Sequence, residues 1–264
     1  MKGEISNKPL YFEIPDSTLQ VFFVILAYAE QNPDKVYLFD ESNHSLLQAC
    51  QKFLSLKLKR ITDENEAYSI FNIRIDHSKP ETQLLNLSAP LIFPKIIVNR
   101  FYKKANLKDH RLYFRGILTK PRFKECMLMF LTIKDFSATF QMVRKSLKSK
   151  SFQIDTEKVY FDFTDRGRQK EFKYLDDNYY REMSGFKYVF CPKGDFTWTY
   201  RFFEAIQLGA IPICKHKHSL YNDFYYYRKI DQSSNHNALK LIEQNLTSFK
   251  SKFYLKDEGF SEFA

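Results

Sequence analysis

Short apolar runs alternate with stretches of helical period along most of the chain. "LYFEI" (10–14) reads as a strand and "DSTLQVFFVILAYAEQN" as a helix capped by Asp16 or Ser17. "KVYLFD" follows as a strand, "SNHSLLQACQKFLSLK" as a second helix, and "AYSIFNIRID" (67–76) and "PLIFPKIIVN" (90–99) continue the apolar series. After the basic, polar stretch "RFYKKANLKDHR" (100–111) the pattern restarts. "LYFRGIL" predicts a strand, "RFKECMLMFLTI" a helix, "EKVYFDF" a strand, and "DDNYYREMS" a short helix. A continuous apolar strand (186–191), a loop, a helix to about Leu208 and a strand in "AIPI" come next, and "ALKLIEQNLTSFKSKF" closes the series as a helix. Strands alternating with helices imply parallel sheets covered on both faces. The expected architecture is therefore α/β with two Rossmann-like halves: 1–104, 105–235, and a C-terminal helix in 236–264 that packs back on the first half.

Composition supports this. The chain has 264 residues, 44% hydrophobic and 17% aromatic, which suffices for a large core. Its 41 Lys and Arg exceed its 31 Asp and Glu, so the net charge of +10 favours anionic partners. The longest apolar run, Leu19 to Ala29, falls short of the roughly 20 residues that span a bilayer and lacks signal-peptide flanks, so it reads as a buried helix. Cys50, Cys126, Cys191 and Cys214 form no C-x-x-C pair, which points away from zinc and redox motifs and towards a reducing, cytoplasmic setting. The sequon at Asn245 carries no expectation of a glycan in that setting.

Candidate chemistry concentrates in "GFKYVFCPKGDFTWTYRFFEAIQLGAIPI" (185–213). The strand ends at Cys191, "PKGDFT" forms a loop, and Thr197 or Thr199 caps a helix in which Trp198, Phe202, Ala205 and Leu208 recur at helical spacing. Gly209 then closes that helix. Ligands of open parallel sheets bind at the carboxyl ends of strands, where helix N-termini attract anions. Gly194 permits close backbone approach, Lys193 adds charge, and Arg201 and Glu204, three apart, share a helix face. A cation for a diphosphate and a carboxylate for ribose hydroxyls would make a nucleotide-diphosphate cradle. A plain surface ion pair between Arg201 and Glu204 is the competing reading.

These residues resemble the signature of exostosin-like glycosyltransferases. Cys191-Pro192-Lys193-Gly194 ends a strand, Tyr200-Arg201-Phe202-Phe203-Glu204-Ala205 forms the helix, and Leu208-Gly209-Ala210-Ile211-Pro212-Ile213 closes the unit. "LYFRG" (112–116) is similar to that family's Phe-Arg-Gly element. The resemblance is dense over 180–213, and Asp195-Phe196-Thr197-Trp198 departs from the family's usual residues after the glycine. It implies a GT-B-like fold of minimal size and transfer of a sugar from a nucleotide-diphosphate donor to a hydroxyl of a glycan or glycolipid. Donor contacts would come from Arg115, Lys193, Gly194, Asp195, Thr199, Tyr200, Arg201, Glu204 and Lys215. A UDP-sugar is favoured, and a similarity of the same helix and Pro closure to α-1,3-fucosyltransferases keeps a GDP-sugar open.

The sequence holds no Asp-x-Asp element, and Arg115, Lys193, Arg201 and a helix dipole can stabilise a leaving diphosphate, so no metal or other cofactor is expected. An acceptor-activating base, if one is needed, would sit where N-terminal strands end, which nominates Asp16 and Asp76, with Asp40 and His77 as further candidates. Cys214, His216 and His218 alternate as a soft-metal set would, although following the strand into the cleft accounts for them as well. "VRKSLKSKS" (143–151) suits a solvated helix face or contact with an anionic membrane better than nucleic acid. A non-catalytic module that binds polyanions is the alternative function.

Overall fold

The computed structural model describes residues 9–14, 18–62, 70–76, 81–84, 87–165, 167, 175–194, 196–229 and 237–254. These fall into two compact units, one comprising the described residues up to Ile96 together with those from Ser251 onward, the other Ile97–Lys250. Both are α/β, with mostly parallel sheets of the Rossmann-like kind.

In the first unit the order is β1 (Leu10–Glu13), α1 (Leu19–Gln31), β2 (Val36–Phe39), α2 (His44–Gln51), β3 (Lys57–Arg60), β4 (Ile70–Asp76), β5 (Glu81–Leu84) and β6 (Leu87–Pro90). The six strands run in the spatial order β3-β2-β1-β4-β5-β6, with the first four parallel and β5 and β6 added antiparallel. Helix α1 starts at Thr18, whose Oγ1 accepts from the Val21 amide, so the cap lies one residue beyond Ser17. Leu19 and every residue from Val21 to Ala29 are buried, as a helix apolar on every side over that stretch requires. Phe23 packs at 5.5 Å against Phe93 with the rings tilted, and Phe12 meets Tyr28 edge-on at 5.7 Å. The Glu30 carboxyl accepts from the amides of Lys95 (2.8 Å) and Ile96 (2.5 Å), and burial raises it to about 7.

The chain continues through α3 (Ile96–Phe101), β7 (Asp109–Gly116), α4 (Lys120–Thr132), α5 (Phe136–Ser146), β8 (Phe152–Asp155), β9 (Val159–Phe163), α6 (Asp177–Met183), β10 (Phe186–Phe190), α7 (Tyr200–Gln207), β11 (Ile211–Ile213) and α8 (Ala238–Phe253). The second sheet has the order β11-β10-β7-β9-β8, parallel except for β8 at the edge. From β7 the chain winds one way to β9, and from β10 it winds the other way to β11. The strand order therefore reverses between β7 and β10, the place where such sheets bind ligands. Phe114, Phe130, Phe161, Phe163 and Phe190 fill the core around Cys126, Met129 and Met142.

Lys108, within the stretch read as a polar connection, is buried. Its Nζ donates to the carbonyls of Ser184 and Leu208, both at 2.7 Å, and desolvation with help from Lys103 lowers it to about 7. As a neutral amine it still has the two protons that those carbonyls need. Gly209 follows α7 at φ 70°, and its Cα faces the Tyr102 ring, where a Cβ would lie 2.5 Å from Cε2.

Candidate functional site

Strands β7 and β10 deliver their carboxyl ends side by side, and α7 begins just beyond β10. Thr199 caps α7 through Oγ1, which accepts from the Arg201 amide at 3.3 Å. The Thr199 amide in turn donates to the Tyr221 hydroxyl (2.9 Å), and the Tyr221 ring stacks at 3.8 Å on Phe202. The helix N-terminus is thereby fixed on the switch point from two sides.

Arg201 is 5% exposed. One terminal nitrogen donates to the Arg115 carbonyl at 2.7 Å, and the guanidinium lies 4.6 Å above the Phe114 ring. Among the described residues its Nε has no hydrogen-bond partner and no carboxylate pairs with it. Gly116 makes this placement possible, since a Cβ there would lie 2.8 Å from the guanidinium. The surface ion pair with Glu204 does not form. Glu204 is fully buried, and its carboxyl accepts from the hydroxyls of Tyr179 (3.1 Å) and Tyr180 (2.8 Å) on α6. Hydroxyls satisfy that carboxyl without neutralising Arg201.

Arg115 lies elsewhere. Strand alternation sends Phe114 and Gly116 towards Arg201 and the Arg115 side chain to the opposite face of β7. There Asp162 (3.2 Å), Glu182 (3.3 Å) and Asp176 (3.7 Å) surround it. Burial alone would lower its pKa, but Glu182 and its neighbours outweigh that and raise it, so the guanidinium stays charged. The backbone of Arg115 reaches Arg201 while its own charge is compensated.

Of the other expected donor residues, Lys193 and Gly194 follow the carboxyl end of β10, Tyr200 opens α7, and Lys215 follows β11. Lys193 is exposed and its amide donates to Glu125 (3.3 Å), which also meets His216 Nε2 at 3.1 Å. Gly194 lies against Arg122, whose Nη2 would be 3.4 Å from a Cβ and whose Nη1 donates to the Ile117 carbonyl. Tyr200 is buried against Trp198 at 4.8 Å, away from open solvent. Lys215 follows β11, with its carbonyl held by Arg228 at 3.2 Å. Asp195 lies outside the described residues.

Of the proposed bases, Asp16 and His77 lie outside the described residues, and Asp76 is exposed at the end of β4, in register with Glu81. Asp40 accepts from Tyr11, the Ser42 hydroxyl and the amides of Ser42 and Asn43. Burial works against its ionisation, but these bonds prevail and hold it below the usual range, which suits an anchor better than a base. Cys214, His216 and His218 diverge: the thiol reaches the His216 carbonyl, His216 meets Glu125, and His218 accepts from the Leu220 amide. No group of three metal-ligating side chains gathers among the described residues.

The sequence reading credited the Phe-Arg-Gly element to its arginine and missed that Phe114 and Gly116 seat Arg201; it missed Tyr179 and Tyr180, which occupy Glu204, altogether. Gly116 had two signals, its place in the Phe-Arg-Gly element and its closing of a strand in a chain with only 7 glycines. A groove of about 580 Å³ lies elsewhere in this unit, between Asn222–Tyr225 and α8, and shares no residue with the Arg201 site. Asn245 ties its two walls together with both amide groups, to Tyr225 N (2.7 Å) and O (2.8 Å), and is 1% exposed, so the folded sequon is closed to modification. No family model matches the chain, and no curated protein does either.

Proposed function

We propose that the carboxyl ends of β7 and β10 bind the diphosphate of a nucleotide-sugar donor, and that the protein is an exostosin-like glycosyltransferase working without metal. The observation that carries this reading is Arg201, a buried guanidinium with no acidic partner among the described residues, seated by Gly116 beside the N-terminus of α7. Burying an ion uncompensated costs several kcal/mol, which a bound anion would recover. A diphosphate at this point meets the helix N-terminus as well.

In transfer, negative charge develops on the diphosphate as the anomeric bond breaks. Arg201, held rigidly over Phe114, supplies a fixed positive charge for it, and Lys193 and Arg122 add charge at the rim. Arg115 acts through its backbone, and Glu204 orients α7 through the two tyrosines unless the ribose exchanges one of them. The acceptor is a hydroxyl of a glycan or lipid-linked glycan, and cytoplasmic work is the setting proposed. Among the described residues no helix is long and apolar enough to cross a membrane.

Calorimetric titration with UDP, GDP and CMP in EDTA tests the proposal. One nucleoside diphosphate should bind, and Arg201→Met should weaken it by about 10- to 100-fold, the value of a charged hydrogen bond. Absence of nucleotide binding, with salt-sensitive retention on heparin or RNA, would replace the transferase by the polyanion-binding module.

A further inference from the structure

Helix α5 is apolar on two opposite sides. Ala138 and Met142 face the core. On the far side Phe136, Phe140, Val143 and Leu147, spaced i, i+4, i+7 and i+11, fall within a narrow stripe. They are 70%, 66%, 43% and 83% exposed. Leu128 and Leu131, near the end of α4 and one tight turn before Phe136, are about half exposed as well. Among the described residues neither Phe136 nor Phe140 stacks on another ring. Exposed phenylalanines at helical spacing are not scattered surface residues, because each loses the favourable burial that its ring would otherwise have.

Charge identifies what covers them. Residues 120–150 carry eight Lys and Arg against two acids, and both acids are engaged: Asp135 caps α5 and Glu125 meets His216. Arg144 flanks the stripe, and Lys148 and Lys150 continue beyond Leu147, all three exposed. An apolar stripe bounded by cations is the pattern of a helix that lies in a bilayer interface, with rings among the acyl chains and cations at anionic headgroups. A second copy docking by the same face would bring like charges together. Nucleic acid would satisfy the cations but offers no apolar phase to Val143, Leu147, Leu128 and Leu131.

We infer that the α4–α5 face docks the protein peripherally on an anionic membrane, with Phe136, Phe140 and Leu147 inserting and Arg144, Lys148 and Lys150 at the headgroups. This stands independently of the donor-site proposal, since no residue is shared.

Flotation of the full chain with vesicles of equal parts phosphatidylcholine and phosphatidylserine, against phosphatidylcholine alone, is the test. Wild type should float with the anionic vesicles. Phe136→Ser with Phe140→Ser should lower partitioning by about tenfold or more, and Lys148→Gln with Lys150→Gln should remove the preference for phosphatidylserine. The exposed positions predict unchanged thermal melts and unchanged nucleotide titrations for both variants. Failure to float, or floating that ignores the phenylalanine pair, overturns the inference. So does light scattering that shows a dimer dissolved by the phenylalanine pair, or RNA binding lost with that pair in a protein that ignores vesicles.

Discussion

Arg201→Met separates a binding arginine from a structural one. The substitution removes a charged hydrogen bond to the Arg115 carbonyl, worth about 1.5–3 kcal/mol, and a buried cation–π contact with Phe114 of about 2 kcal/mol. Against these it removes the desolvation cost of a buried ion that has no acidic partner among the described residues, several kcal/mol. Methionine keeps an apolar, polarisable body over the Phe114 ring and recovers about 0.3–1.5 kcal/mol. The gains and losses nearly cancel, so the nucleotide-free variant should lie within about 1–2 kcal/mol of wild type. A buried arginine held in an ion pair would instead lose about 3–5 kcal/mol through the carboxylate left behind. Urea unfolding followed by fluorescence of Trp198, the only tryptophan and in the same unit, reads the stability, and calorimetry reads the nucleotide. A loss of about 3 kcal/mol or more with nucleotide affinity unchanged would refute the reasoning and make Arg201 a structural residue.

Three further outcomes follow from the same geometry. Gly116→Ala puts a methyl 2.8 Å from the Arg201 guanidinium, and should weaken nucleotide binding about tenfold at a stability cost of about 1–2 kcal/mol, both measured as above. Gly209→Ala combines a left-handed φ of 70° with a Cβ 2.5 Å from Tyr102, and should cost about 2–4 kcal/mol. Removing the ring with Tyr102→Ala should leave only the backbone share, about 1–2 kcal/mol. Lys108, lowered to about 7 in the fold, binds its proton more weakly there than in the unfolded chain, so stability of the second unit should rise with pH from about 7 to about 8, below the range in which unfolded thiols ionise and the buried Cys126, Cys191 and Cys214 oppose the rise. Lys108→Met should abolish that slope in urea titrations at several pH values.

The elements with strong periodicity were legible in the sequence. Helix α1, with its apolar run from Val21 to Ala29, and the β10–α7–β11 unit stand where the pattern put them, with Thr199 chosen from the two candidate caps. Missed were β3 (KLKR), β5 (ETQL) and β8 (FQID), short edge or near-edge strands. Their polar residues suit an exposed edge and erase the apolar run that would announce a strand. Lys108 misled because lysine is read as solvated, whereas two converging carbonyls give its amine a dry site. At the site, local spacing placed Arg201 and Glu204 on one helix but could not foresee Tyr179 and Tyr180, brought from α6 by tertiary packing.

The four cysteines are free and buried, one in the first unit and three in the second. Burial raises every one of these thiols above its ordinary range, Cys214 the least, to about 11. Folded, the protein therefore resists alkylating reagents, and labelling at each cysteine becomes a clock for the opening of its surroundings. Mass spectrometry that times Cys50 against Cys126 and Cys191 would give the opening rate of each unit in the intact chain, without cutting or tagging it.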